Sequence, residues 1–335
     1  MAMRRSAVIL AVAALSLVGG GSRPGAPPHQ RTPPRDVAVL HAAAGLGAIV
    51  AHGGDLWLDD RAGERLLHLD GRSGRVSAAI PVDGRLALAE GAGAVWALQS
   101  GGGYGIGLRG PLLRIDAATD RVRGRIPLVT ASGRAVLGFG VQVAGRAVWV
   151  WGPDDILRID RRAGRVAARI AVGGEQGELT GLAATRRQLV AGTADGHLIR
   201  FDARTGRRTG VLRLALSKPS PKAVRGGILL FTASGRVGAI DLATGRTRWT
   251  KRLGFRAGAV VARDGVVWVH SAATFEPGDR LTAVRLATGE VVATRIVHAF
   301  GSTGVAVGAA RVAIATAGGD LVVLTPRAAA AARRR

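Results

Sequence analysis

Residues 226–254 read GGILLFTASGRVGAIDLATGRTRWTKRLG and predict one antiparallel unit of three short strands. Apolar and β-branched residues concentrate in three runs, Ile228–Thr232, Val237–Asp241 and Thr247–Leu253. The two intervening stretches, residues 233–236 and 242–245, each contain a glycine that can take a left-handed conformation. In the second stretch an aspartate precedes the turn, and its side chain is expected to accept hydrogen bonds from backbone N–H groups two and three residues further on.

The aspartate turn recurs along the chain as LDGRSGR, IDAATDR, IDRRAGR, FDARTGR, IDLATGR and VRLATGE. Its first polar positions are Asp70, Asp116, Asp160, Asp202, Asp241 and, in the sixth copy, Arg285. Successive spacings are 46, 44, 42, 39 and 44 residues. A period of this length with several short strands in each unit is typical of a β-propeller.

A second repeated motif, an apolar strand after a small or turn residue, occurs seven times. Its copies are DLWL (55–58), AVWAL (94–98), AVWVW (147–151), QLVAG (188–192), ILLFT (228–232), VVWVH (266–270) and RVAIA (311–315). The last unit ends at residue 324 without a fourth strand, and residues 36–40 near the N-terminus are expected to supply it. We predict an all-β fold: a single seven-bladed β-propeller with four-stranded blades over residues 36–326, closed by the N-terminal strand, with almost no helix.

Composition excludes several kinds of chemistry. The 335 residues contain no cysteine, so disulfides, thiolate metal sites and cysteine nucleophiles are ruled out. The formal net charge is +24, nearly all of it from arginine, which favours an anionic partner. Abundant Arg, Ala and Gly with few Lys indicate a GC-rich, actinobacterial-like source.

The N-terminal segment has the three-part pattern of a secretory signal: basic residues 1–5, apolar residues 6–18 and small residues 19–22. We therefore expect a signal peptide over residues 1–22, cleaved or retained as a membrane anchor. A Pro-rich linker follows at 23–35, and residues 327–335 form a basic Ala/Arg tail. The protein is accordingly expected to be secreted or extracytoplasmic.

Strand order within a propeller blade predicts which loops share a face. Loops between blades lie on the same face as loops between the second and third strands, and ligand sites are expected on that face or in the central channel. The binding candidates on these loops are Tyr104, Glu175, Glu178, Phe275, Glu276 and His298. The aspartate turns lie on the opposite face and carry a basic rim of Arg75, Arg121, Arg165, Arg207 and Arg246.

Residues 239–249, AIDLATGRTRW, resemble the repeat of pyrroloquinoline-quinone (PQQ)-type propellers. Residues 157–174, LRIDRRAGRVAARIAVGG, are similar to repeats of secreted bacterial YVTN-type propellers. The resemblance covers about residues 36–326 and implies a propeller of the quinoprotein-like class. Many such propellers are binding scaffolds, whereas the quinone enzymes among them have eight blades and bind PQQ with Ca²⁺.

Three functions remain open from the sequence. The preferred one is a non-enzymatic, monomeric scaffold without a cofactor, which binds an envelope protein or an anionic polymer or lipid surface, and no specific nucleic acid. The second is a metal-dependent lyase, for which His270, Glu276 and His298 could hold a divalent metal. The third is a degenerate PQQ-type quinoprotein. No residue is assigned as catalytic or as a metal ligand, because the chain shows no catalytic motif that would identify one.

Overall fold

The computed structural model describes residues 37–100, 109–129, 136–145, 147–172, 178–255, 257–271, 279–297, 302–308 and 311–324. These residues form strands, turns and bends, and none of them is helical. Accordingly, this part of the chain holds no helix that could cross a membrane. The segments predicted as signal peptide, linker and tail lie outside the described residues.

The twenty-eight strands follow one another with short connections, as the repeated turn motifs predict. The first half of the chain contains β1 (Val37–His41), β2 (Leu46–His52), β3 (Asp55–Asp60), β4 (Arg65–Leu69), β5 (Val76–Pro81), β6 (Leu86–Gly91), β7 (Ala94–Gln99), β8 (Leu112–Asp116), β9 (Arg121–Ile126), β10 (Gly140–Ala144), β11 (Ala147–Trp151), β12 (Asp155–Asp160), β13 (Arg165–Ala171) and β14 (Leu179–Ala184). The second half contains β15 (Gln188–Thr193), β16 (His197–Asp202), β17 (Arg208–Arg213), β18 (Ser220–Arg225), β19 (Ile228–Ala233), β20 (Arg236–Asp241), β21 (Thr247–Arg252), β22 (Ala257–Arg263), β23 (Val266–Ser271), β24 (Asp279–Arg285), β25 (Val291–Val297), β26 (Ser302–Val307), β27 (Val312–Thr316) and β28 (Asp320–Leu324).

The strands form seven four-stranded antiparallel sheets, which are the blades of a propeller. Blades 1 to 6 are β2–β5, β6–β9, β10–β13, β14–β17, β18–β21 and β22–β25, and blade 7 is β26–β28 completed by β1. The first strands of successive blades contact one another in a closed cycle around the centre of the ring. The second and third strands of each blade pack against the neighbouring blades, and the fourth strand lies at the outside of the ring. The predicted seven-bladed propeller is confirmed.

Ring closure uses the N-terminal strand, as the sequence predicts. Strand β1 pairs with β28 in an antiparallel register that runs from Val37 opposite Leu324 to His41 opposite Asp320. The pairing covers the edge of β28, whose residues Leu321 to Leu324 are buried. An uncovered apolar edge of this kind would be a template for aggregation, so closure stabilises the ring and protects it.

Apolar clusters fill the interfaces between neighbouring blades. Between blades 1 and 2, Trp57 and Leu66 pack against Val95 and Leu113, and all four are at most 1% exposed. Similar clusters recur between the other blades and consist mainly of Val, Leu, Ile and Ala. Burial of this much apolar surface is what holds the blades together, because no disulfide is present.

The ring has two faces with different connections. The linker face carries the connections between blades and those between the second and third strands of a blade. The turn face carries the first-to-second and third-to-fourth connections, which include the aspartate turns. On the turn face, one carboxylate oxygen in each of the turn aspartates accepts from the backbone N–H groups two and three residues on. These aspartates are Asp70, Asp116, Asp160, Asp202 and Asp241.

The hydrogen bonds of the turns favour the charged carboxylates and lower the pKa of all five aspartates. In Asp241 the additional hydrogen bond from Arg248 is the largest cause, and the pKa falls to about 2. The predicted role of the aspartate as a turn cap is thereby confirmed.

One turn departs from the repeat at Asp120, which stands where the other aspartate turns have glycine. Asp120 has φ 57°, a left-handed conformation that is costly for a residue with a Cβ. Its carboxylate lies 2.7 Å from Nδ1 of His68 in blade 1, and the imidazole stacks on Trp57 with ring centroids 4.2 Å apart. Asp55 contacts the other ring nitrogen at 3.3 Å. The side chain of Asp120 thus ties blade 2 to blade 1 at the expense of backbone strain.

The Trp of the PQQ-type repeat has a packing role. Trp249 is 8% exposed, and its indole Nε1–H donates to the carbonyl of Leu286 in blade 6 at 2.8 Å. A Cβ on Gly289 of the same turn would come within 2.6 Å of the indole ring. The motif that carries the family resemblance therefore connects blades 5 and 6.

Candidate functional site

A solvent-open cleft on the linker face spans blades 4, 5 and 6, and we call it the linker-face cleft. It encloses about 850 Å³. Its charged lining residues are Glu178, Lys218, Lys222 and Arg236, and its hydroxyl-bearing ones are Thr180, Ser217, Ser220, Thr232 and Ser234. Hydroxyl and cationic groups dominate the lining, so the cleft is suited to a polar, acidic ligand rather than an apolar one.

The floor of the cleft is fixed by contacts between blades 4 and 5. The hydroxyl of Thr180 on β14 donates to the carbonyl of Pro219, and the hydroxyl of Ser220 donates back to the carbonyl of Thr180 at 2.7 Å. Two glycines allow this approach. A Cβ on Gly192 would lie 1.9 Å from the Pro219 carbonyl oxygen, and one on Gly181 would lie 2.6 Å from the Ser220 hydroxyl. The connection that carries Lys218 is therefore held against blade 4.

Two of the three cationic side chains of the cleft, those of Lys218 and Arg236, are available for a partner, whereas Lys222 is engaged by neighbouring groups. Lys218 is exposed and lies in a left-handed conformation with φ 51°, immediately before Pro219. Among the described residues, neither Lys218 nor Arg236 has a carboxylate in ion-pair contact. Glu178 is the single acidic residue of the lining, and its carbonyl accepts from the N–H of Ala194 at 2.9 Å. Cations consequently outnumber carboxylates in the cleft.

The structure brings one of the sequence-predicted binding residues, Glu178, into the cleft. The other five, Tyr104, Glu175, Phe275, Glu276 and His298, lie outside the described residues. The arginines of the predicted basic rim, Arg75, Arg121, Arg165, Arg207 and Arg246, are all exposed. Each follows a turn of a different blade on the turn face, so they are distributed around the ring instead of converging on one site.

Lys218, Arg236 and the hydroxyl residues around them are not predicted from the sequence as parts of a site. One signal was visible: all three lysines of the chain fall between residues 218 and 251, around blade 5, whereas arginine supplies the other cations. The convergence itself depends on how three blades meet.

Of the residues considered for a metal centre, Glu276 and His298 lie outside the described residues. His270 is 1% exposed, at the linker-face end of β23, and is engaged by neighbouring groups. Within the described ranges, no three His, Asp or Glu side chains are grouped as metal ligands. Most of the first strands around the central channel carry mainly small apolar residues, as in LGAIVAH of β2 and AGAVVAR of β22, whereas β18, SPKAVR, also carries Lys222 and Arg225.

Fold and repeat together define a seven-bladed PQQ-like β-propeller. The chain belongs to the family described as outer membrane protein assembly factor BamB, whose model matches residues 108–251 and 208–295. No curated protein matches the chain in sequence.

Two solved structures share the fold. BamB from Moraxella catarrhalis is 16% identical with a TM-score of 0.58, and the alignment covers 86% of this chain and 98% of that one. The computationally designed Ika8 protein is 14% identical with a TM-score of 0.61, covering 84% and 96%. At these identities the likeness extends to the fold alone.

Proposed function

We propose that the protein is an exported, non-enzymatic propeller scaffold whose linker-face cleft binds an acidic segment of an envelope protein. The observation that carries the proposal is the pair Lys218 and Arg236, which have no carboxylate partner in the described structure and stand above a floor fixed by Thr180 and Pro219. A rigid floor reduces the conformational entropy lost on binding, and unpaired cations select an acidic partner.

The lining of the central channel supports a scaffold role. Small apolar side chains on the first strands leave the polar, partner-accessible groups at the faces of the ring. A rigid ring that presents its faces to other molecules is how a propeller of this kind acts as a binding platform. In this proposal the ring acts as a monomer and needs no cofactor.

The expected export and envelope setting have two supports. Residues 1–22 have the pattern of a secretory signal, and the family to which the chain belongs is named for an outer membrane protein assembly factor. The formal net charge of +24 favours an acidic envelope component as partner.

Site-specific photo-crosslinking in the native cells tests the proposal. A photoreactive amino acid would replace Ser217 in the cleft or, as the control, Arg72 on the turn face; both positions are exposed. We expect a discrete protein adduct from position 217 only, and loss of that adduct when Lys218→Glu and Arg236→Glu are added. Adducts of equal yield from both positions, or adducts with lipid only, would contradict a protein-binding cleft.

A further inference from the structure

A second cavity lies on the opposite side of the ring, where the central channel opens on the turn face. It encloses about 460 Å³. Its wall consists of apolar residues at the ends of the first strands, among them Val50, Ala51, Val261, Ala262 and Val307. Four charged residues stand around it: Glu90, Arg225, Arg263 and Asp264. We call this cavity the channel mouth.

Two arginines occupy equivalent places in adjacent blades at the channel mouth. Arg225 ends β18 and Arg263 ends β22, each followed by a two-residue turn with positive φ at both positions. Each guanidinium reaches the first strand of the next blade: Arg225 Nε donates to Ala262 O at 3.3 Å, and Arg263 Nη1 donates to Val307 O at 3.2 Å. The equivalent ends in blades 1 to 4 and 7 carry no arginine.

These contacts orient the guanidinium groups without using up their donors. A guanidinium has five N–H donors, and the anchoring bond of each arginine uses one. In the described part of the chain, Arg225 has no carboxylate in ion-pair contact. Arg263 Nε lies 3.5 Å from Asp264, whose side chain is 86% exposed and thus well solvated. The two arginines are therefore held in place while most of their donors remain available to an anion.

The acidic group across the mouth is engaged elsewhere. Glu90 at the end of β6 lies 3.1 Å from Nδ1 of His52, which ends β2. The two arginines thus lie on blades 5 and 6, whereas the glutamate of the mouth lies on blade 2 and is hydrogen-bonded to a histidine of blade 1.

We propose that the channel mouth binds a small anionic amphiphile, with a carboxylate or phosphate head on Arg225 and Arg263 and an apolar body against the Val and Ala wall. Planar guanidinium groups match both kinds of head, and the wall offers apolar surface to the attached body. The site lies on the opposite face from the linker-face cleft and is independent of the function proposed for that cleft.

Calorimetric titration of the full chain with octanoate tests the proposal, with acetate, octylamine, octyl phosphate and inorganic phosphate as comparison ligands. We expect saturable binding of octanoate that weakens with added NaCl. Acetate should bind at least about tenfold more weakly because it lacks the apolar body. Octylamine should not bind. If octyl phosphate and octanoate bind with similar affinity, the site accepts anionic heads in general. If octyl phosphate binds more tightly than octanoate, the ligand is a lipid-like phosphate.

Single variants assign the head-group contacts. Arg225→Gln or Arg263→Gln should weaken octanoate binding at least about tenfold, because each removes a charged hydrogen-bond donor. Arg252→Gln, an exposed position on the outer strand β21, should leave it unchanged. The proposal would be overturned if octylamine bound as tightly as octanoate, because the anionic head would then not matter. It would also be overturned if acetate bound as tightly as octanoate, or inorganic phosphate as tightly as octyl phosphate, because the apolar body would then not matter. An unchanged affinity in folded Arg225→Gln and Arg263→Gln would overturn it as well.

Discussion

Substitution of Gly192 by alanine tests the close approach that forms the floor of the linker-face cleft. The new Cβ would lie 1.9 Å from the carbonyl oxygen of Pro219 and 2.8 Å from the hydroxyl of Thr180. The nearest atom is a backbone oxygen of the connection between blades 4 and 5, so this connection must move. Gly192 is not in a left-handed conformation, and the effect is therefore steric.

The cost of Gly192→Ala can be estimated from typical overpacking, which destabilises by about 1–3 kcal/mol. A ring of about 290 residues has an unfolding entropy of roughly 0.6 kcal/mol/K, so the midpoint Tm should fall by about 2–5 °C. The matched control is Gly124→Ala on the outer strand β9, where the new Cβ would be 3.9 Å from its nearest neighbour. That variant should keep its Tm or gain about 1 °C, because alanine restricts the unfolded chain.

Differential scanning calorimetry of the two variants beside the unsubstituted protein is the assay. The difference in Tm between Gly192→Ala and Gly124→Ala isolates the steric effect, since both replace glycine by alanine in a strand. Equal Tm values for the two variants would mean that blades 4 and 5 do not meet tightly at the cleft floor.

Three further predictions concern the ring itself. Deletion of residues 1–35 should leave Tm unchanged. Deletion through His41 should lower the free energy of unfolding by several kcal/mol, at about 1 kcal/mol per lost hydrogen bond, and should therefore lower Tm. The uncovered edge of β28 should also cause aggregation, which light scattering during thermal unfolding would show. The pKa of Asp241 is lowered in the folded protein, so its contribution to stability is present above the unfolded value of 3.8 and is lost as pH falls toward about 2. In acid titration, Asp241→Asn should therefore lose less stability over that pH interval than the unsubstituted protein. An identical slope of unfolding free energy against pH in the two proteins would contradict the capping role. Asp120→Ala should unfold at lower temperature than Asp120→Gly, because both lose the contact with His68 but alanine keeps the left-handed strain of roughly 1 kcal/mol.

The ring could be predicted from the sequence because each blade is specified locally. Turns such as that at Asp241 depend on residues within five positions of one another, and their spacing counts the blades. The closing strand was found by the same counting, since the last repeat lacks a strand and residues 36–40 precede the first one. Local turn chemistry and alternation of apolar residues are therefore sufficient for the architecture.

The sites were harder to predict because they form where blades meet. Lys218 lies in the connection between blades 4 and 5 and Arg236 begins β20, and only the packing of β14 against β18 gives them a common floor. In the channel mouth, the partners of Arg225 and Arg263 are backbone carbonyls of other blades, which no side-chain motif reveals. At Asp120, the sequence shows that an aspartate replaces the glycine of the other turns. The contact that explains this aspartate is with His68, 52 residues away, and the sequence does not reveal it.

Fluorescence anisotropy with a labelled oligoglutamate peptide tests whether the linker-face cleft is the docking surface for an acidic segment. Two double variants carry the same change in charge: Lys218→Gln with Arg236→Gln in the cleft, and Arg75→Gln with Arg207→Gln on the turn-face rim. We expect the cleft variant to weaken binding by about tenfold, because two cations that line one cleft act on the same ligand. The rim variant should change it by less than about twofold, since isolated exposed charges are screened by salt. Equal weakening in both variants would contradict docking in the cleft, because binding would then follow net charge alone.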